Sequence, residues 1–151
     1  MRRTTTTAAA VLVAMLAAGC SSGDDTPDAK PTPTAATLST KWGPKFDTAT
    51  EADAAVCNQV GDQACAEHLT DIALVVGDLE RDVNEAGGSA KYPRTTAELD
   101  KVNDAVQAYT DHECLGDENA GIEGSPCPDD AQTILTGGKT LTLALQADEG
   151  A

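Results

Sequence analysis

Cys65, Leu69, Ile72, Val76, Leu79, Val83 and Ala86 recur at alternating intervals of four and three. That spacing places them on one face of a helix of about six turns. Asp62 stands where an N-cap is expected, and the run Ala86, Gly87, Gly88 supplies a stop. The chain therefore contains one long amphipathic helix, and the rest of the domain has to cover its apolar face.

Three further segments are expected to do so. In PRTTAEL, Thr95 and Glu98 have capping-box spacing, and an apolar series through Leu99, Val102, Val106 and Tyr109 predicts a helix running towards Gly116. In CPDDA, Pro128 suits the first helical position, and Asp129 and Asp130 suit the positive end of the helix dipole. Ile134, Gly138, Leu141 and Leu145 extend this segment as a helical face. KTLTLAL also alternates with strand period, and the Gly137-Gly138 pair costs roughly 2 kcal/mol inside a helix. A helix is expected because no partner strand is evident, with a break at the glycines as the alternative. A short helix over 48–60, including Ala52, Ala55 and Val56, completes the set. The expected fold is all-α: a small antiparallel bundle of three to four helices, arranged as two helical hairpins.

With one Trp, one Phe and two Tyr, the core has to be built mostly from Leu, Val, Ile and Ala, so covalent staples would help it. Cys57 and Cys65 flank one expected turn, and Cys114 and Cys127 flank another. CNQVGDQAC and CLGDENAGIEGSPC each place a cysteine, a Gly-Asp turn and a second cysteine ahead of a helix, a weak sign of duplicated hairpins. Four cysteines permit three connectivities. Cys57–Cys65 and Cys114–Cys127 are preferred because each pair closes a turn. Cys57 and Cys65 cannot share an unbroken helix, where eight residues span about 12 Å, beyond the roughly 7 Å limit between bridged α-carbons; Gly61 supplies the break. Closing the longer loop is worth roughly 3 kcal/mol on chain-entropy grounds.

The fifth cysteine belongs to a different part of the chain. Arg2 and Arg3, an apolar stretch through Val11, Leu12, Val13, Met15 and Leu16, and small residues Ala17, Ala18 and Gly19 have the three-part form of an export leader. The apolar run is too short to span a bilayer core of about 30 Å. LAAGC, ending at Cys20, resembles the lipobox of bacterial lipoproteins, with Ala17 in place of leucine three positions before the cysteine. The resemblance implies diacylglycerol on the Cys20 sulfur and cleavage just before it; ordinary secretion with a cut at the same place is the rival. Two acyl chains suffice for stable anchoring where one is marginal.

The resulting organisation is a leader over 1–19, a lipid-anchored Thr/Pro/Asp tether over 20–45 and an acidic helical domain over 46–151. The expected place is the cell membrane, on its extracytoplasmic face. An even set of cysteines in such a compartment is expected to be oxidised. The net charge of −15 becomes −17 once Arg2 and Arg3 leave with the leader. Such a domain is repelled by nucleic acid and by anionic lipid, whereas a cationic ligand or an envelope protein remains an acceptable partner.

No activity is legible. TGGKT at 136–140 matches the end of a phosphate-binding loop, but Thr133 stands where its earlier glycine should be and no strand precedes it. Asp117, Asn119 and Glu123 lack the ligand spacing of an EF-hand and read as a solvated acidic loop. Cys65 with His68 and His112 with Cys114 would converge on zinc if the helices met at that end, yet the spacings match no zinc motif. Disulfides with ordinary surface histidines are preferred; there is no C-x-x-C and no G-x-S-x-G. No cofactor, catalytic residue or metal site is assigned.

A non-enzymatic binding or interaction module of the envelope is the expected function. A small zinc- or calcium-binding protein is the alternative, and an envelope enzyme, which would need converging ionisable groups in a concave site, comes third. Trp42, Phe46, Tyr92 and Tyr109 are the candidate partner anchors. Against that role, Tyr109 is expected in the core on its helical stripe, and Trp42 and Phe46 can instead cover an open end of the bundle. Tyr92 is expected to be exposed beside Pro93.

Overall fold

A computed structural model describes residues 37–51 and 54–150. The leader, Cys20 and the tether as far as residue 36 lie outside the described residues, as does Ala52. Four helices, α1 (Leu38–Glu51), α2 (Gln63–Glu85), α3 (Pro93–Asp111) and α4 (Cys127–Glu149), run up, down, up and down, and no strand occurs among the described residues. Short 3-10 turns at Ala54–Asn58 and Gly88–Ala90 join α1 to α2 and α2 to α3. Both disulfides are present, Cys57–Cys65 in the first hairpin and Cys114–Cys127 in the second.

The apolar stripe of α2 is buried from Cys65 to Val83, with Ala86 half-buried at the C-cap. Leu99, Val102 and Tyr109 of α3 and Ile134, Leu141 and Leu145 of α4 complete the centre. Two expected boundaries move. α1 begins at Leu38, inside the segment assigned to the tether, and replaces the short helix expected over 48–60. Gly43-Pro44 disguises it, because proline lacks the N–H for a helical bond and costs about 3 kcal/mol in a helix interior. Burial of Trp42 and Phe46 on either side of the proline, with ring centroids 6.4 Å apart, holds the helix together. α3 also ends at Asp111, short of Gly116.

The open end of the bundle is tied by acids from the ends of descending helices. In place of a local capping box, Thr95 lies inside α3 and is fully buried. Its N–H and Oγ1 both donate to the Asp148 carboxylate of α4 at 2.8 Å. The neighbouring Glu149 carboxylate accepts the Ser39 N–H at the start of α1, at 3.2 and 3.3 Å to its two oxygens. Near the end of α2, Asp82 Oδ2 accepts from Lys41 Nζ at 2.6 Å and from Trp42 Nε1 at 2.8 Å. The positive N-termini of ascending helices thus receive carboxylates from antiparallel neighbours.

α4 is continuous through Gly137 and Gly138. A Cβ at Gly137 would stand 2.8 Å from Val102 Cγ2 of α3, and one at Gly138 would stand 3.0 Å from both Phe46 Cδ1 and Thr50 Cγ2 of α1. The glycines lower helix propensity but let α4 seat closely against two helices at once.

Gly77→Ala, on the exposed face of α2 with nothing near its added Cβ, should raise stability by roughly 0.5–1 kcal/mol. Gly137→Ala should be less stable than that variant by roughly 1–3 kcal/mol in urea unfolding, because Val102 is stiff and buried. Equal stability of the two would remove the close-packing argument.

The Lys41 hydrogen bond holds the Asp82 carboxyl below its ordinary value of 3.8, against the opposing effect of burial, with the Trp42 bond and the charges of Lys41 and Lys45 adding to the lowering. The folded chain therefore holds fewer protons on Asp82 than the unfolded chain does. The stabilisation is complete above the ordinary carboxylate value and disappears as pH falls through the lower folded value. Asp82→Asn should lower stability at neutral pH by about 1 kcal/mol, and the gap in melting temperature should close as pH falls below 3.8. A gap constant with pH would show that the charge contributes nothing.

Candidate functional site

The two disulfides lie at the end of the bundle opposite Thr37, where the turn at 59–62 meets the loop at 112–126. α3 ends in a Schellman arrangement: Cys114 N–H donates to the Tyr109 carbonyl at 3.2 Å, and Glu113 N–H donates to that of Thr110 at 3.0 Å. Glu113 occupies the left-handed position with φ of 52°, where glycine or asparagine is usual. This reversal leaves Cys114 fully buried, bonded to Cys127 at the start of α4.

The loop is also seated on the first hairpin. Gly116 N–H donates to the Gly61 carbonyl at 2.9 Å, and the Tyr109 hydroxyl donates to the Val60 carbonyl at 2.5 Å. Burial pushes the Tyr109 phenol up from its ordinary value. Gly61 has no alternative here, since a Cβ would fall 2.5 Å from the Asp117 carbonyl oxygen. Loop and turn together form a cap enclosing an open cleft of about 420 Å³ beside Asp62, Asp117 and Glu118.

From Asp111 to Asp130 the chain carries seven carboxylates and no Lys or Arg. Leu115 and Ile122, 50% and 57% exposed, project from the same loop. Leu115 also borders a small apolar groove of about 220 Å³ beside Ala66, Ala73 and Val106. The cap therefore combines an acidic surface with apolar contacts.

The four aromatic residues do not supply a binding face. Trp42, Phe46 and Tyr109 are buried, and Tyr92, expected outside, is only 5% exposed at the N-cap of α3. His68 is likewise not at the surface: it is 6% exposed, and its Nε2 has no hydrogen-bond partner among the described residues. His112 is exposed, with Nδ1 2.7 Å from Asp130 Oδ2. Cys65, His68, His112 and Cys114 are not gathered into one group. Instead His112, Cys114 and Asp130 have ligand atoms within 4.8 Å of one another. Asp130 escaped the sequence reading because its place at the start of α4 explained its charge without a partner.

No family model, curated protein or solved structure matches the chain. None of the described helices is long and apolar enough to cross a membrane.

Glu113→Gly should relieve the left-handed conformation and raise stability by about 1 kcal/mol in thermal or denaturant unfolding. An unchanged or lower stability would show that the Glu113 side chain repays its backbone strain through contacts of its own.

Proposed function

We propose that this protein is a non-enzymatic interaction module of the cell envelope, anchored through lipid on Cys20 and binding a cationic protein segment with its disulfide-bonded cap. The observation that carries this reading is the cap itself: Asp117, Glu118 and Glu123 beside exposed Leu115 and Ile122 on a loop closed by Cys114–Cys127, with four further carboxylates flanking it and no Lys or Arg from Asp111 to Asp130. Acidic and apolar groups held on a stiff loop suit a partner that offers Lys or Arg around an apolar anchor.

The anchor is supported by the leader and LAAGC. With α1 starting at Leu38, the segment linking Cys20 to the bundle is shorter than the expected tether. That segment joins the bundle at the start of α1, at the end opposite the cap. The surface charge would speed encounter with a basic partner and make binding sensitive to salt.

Native protein extracted in detergent should have the mass of a chain starting at Cys20 plus diacylglycerol, and Cys20→Ser should move it out of the membrane fraction. A photocrosslinker at Ile122 should give an adduct with a basic envelope protein. The adduct should fall by about tenfold in the triple variant Asp117→Asn, Glu118→Gln, Glu123→Gln at unchanged melting temperature. An adduct indifferent to both the triple variant and added salt would overturn the cap assignment, and a Cys20→Ser chain still held in the membrane would overturn the anchor.

A further inference from the structure

The two disulfides have different surroundings. Among the described residues, only Cys114–Cys127 is accompanied by a nitrogen and an oxygen donor within metal-binding reach, from His112 and Asp130. We propose that this staple is interchangeable with a zinc site: when the disulfide is reduced, Cys114, Cys127, His112 and Asp130 bind one Zn²⁺ in a tetrahedral S₂NO set. The inference rests on the cap geometry and is independent of the anchor and the partner.

Three observations support it. The ligand atoms of His112, Cys114 and Asp130 already lie within 4.8 Å of one another, and Cys127 is bonded to Cys114. The order His-x-Cys, twelve residues, Cys-x-x-Asp gives two short ligand pairs joined by a loop, the general plan of structural zinc sites. The donors are also held by ordered backbone: His112 is the C-cap of α3, Cys114 is placed by the Schellman turn, and Cys127 and Asp130 lie in the first turn of α4.

His112, Cys114 and Asp130 are already grouped, and the Cys127 sulfur, outside their 4.8 Å group, has to swing in once it is released from Cys114. Zinc bonds of about 2.0 Å to nitrogen and oxygen and 2.3 Å to sulfur put tetrahedral ligands roughly 3.3–3.8 Å apart. His112 Nδ1 and Asp130 Oδ2, now 2.7 Å apart, would separate by about half an ångström as both turn to the metal. Two sulfurs released from their bond move apart to about the same non-bonded separation.

The chemistry balances with a dithiol as reductant. Its two electrons and two protons convert the disulfide to two thiols while it is itself oxidised to a disulfide. Zn²⁺ then displaces both thiol protons to solvent, giving a bis-thiolate site of net charge −1 with the Asp130 carboxylate. Reduction therefore exchanges one cross-link between α3 and α4 for another, and the cap remains closed.

The test uses the full chain in detergent, reduced with a phosphine that is then removed without oxygen, and ZnCl₂ competed against a chromophoric chelator. The oxidised chain should bind no zinc at this site, and the reduced chain one zinc with near-native far-UV dichroism. Co²⁺ in its place should show tetrahedral bands with thiolate charge transfer. His112→Ala and Asp130→Ala, at partly exposed positions, should each weaken zinc by at least about tenfold, whereas Cys57→Ser with Cys65→Ser should leave the stoichiometry unchanged. The proposal is overturned if the reduced chain takes up no zinc, if neither single variant weakens binding, if the site is lost with Cys57 and Cys65, or if zinc binds only a chain that stays unfolded.

Discussion

The bundle depends on the closeness with which α4 seats between α1 and α3. Gly137 faces Val102, and Gly138 faces Phe46 and Thr50, with no room for a Cβ at ordinary packing distance. Two residues that are poor in an isolated helix are thus used to bring backbones together. Dispersion attraction and apolar burial over the approach oppose the propensity cost. This matters in a domain with so few aromatic residues, because small aliphatic side chains fill a core only when the helices that carry them stand close. It also accounts for the persistence of α1 through Pro44: α1 is held by what Phe46 and Trp42 bury rather than by its own backbone.

The ends of the bundle are organised on different physical grounds. At the end where α1 begins, the ties are non-covalent. Asp148, Glu149 and Asp82 lie near the carbonyl ends of their own helices, a placement the dipole disfavours, but each is spent on donors of a neighbouring helix. At the other end two disulfides add covalent ties to the Gly116–Gly61 and Tyr109–Val60 hydrogen bonds, and most of the surrounding carboxylates face solvent. The acidity of the chain therefore has two uses within one fold, holding one end together and setting the surface character of the other.

Features set by local pattern were legible before the structure: the α2 stripe, the acidic start of α4 and the turn-flanking cysteines. The fold class and both disulfides followed from these. What escaped was decided by long-range neighbours. Thr95 and Glu98 have capping-box spacing, yet the acceptor for Thr95 is Asp148. Gly43-Pro44 breaks the local signal of a helix that tertiary burial restores. Tyr92 sits beside a proline at a helix start, a place that is usually exposed, but it is covered. At the cap, the cysteines were legible and Asp130 was not, since no sequence spacing announces that residues 112 and 130 meet across a disulfide.

The position of the second disulfide gives the cap its dependence on chemistry as well as on packing. The loop from Leu115 to Pro126 buries only Ala120 fully and includes Gly116, Gly121 and Gly124, so apolar contact alone does little to offset the entropy of ordering it. Closing a loop of this length covalently is worth about 3 kcal/mol, comparable to the whole margin a small core supplies. The surface that carries Leu115, Ile122 and the carboxylates is therefore ordered chiefly because Cys114 and Cys127 are joined. A loop held by its cross-link rather than by its own core keeps its shape only while a cross-link of some kind persists, which ties the surface at this end of the molecule to the state of two sulfur atoms.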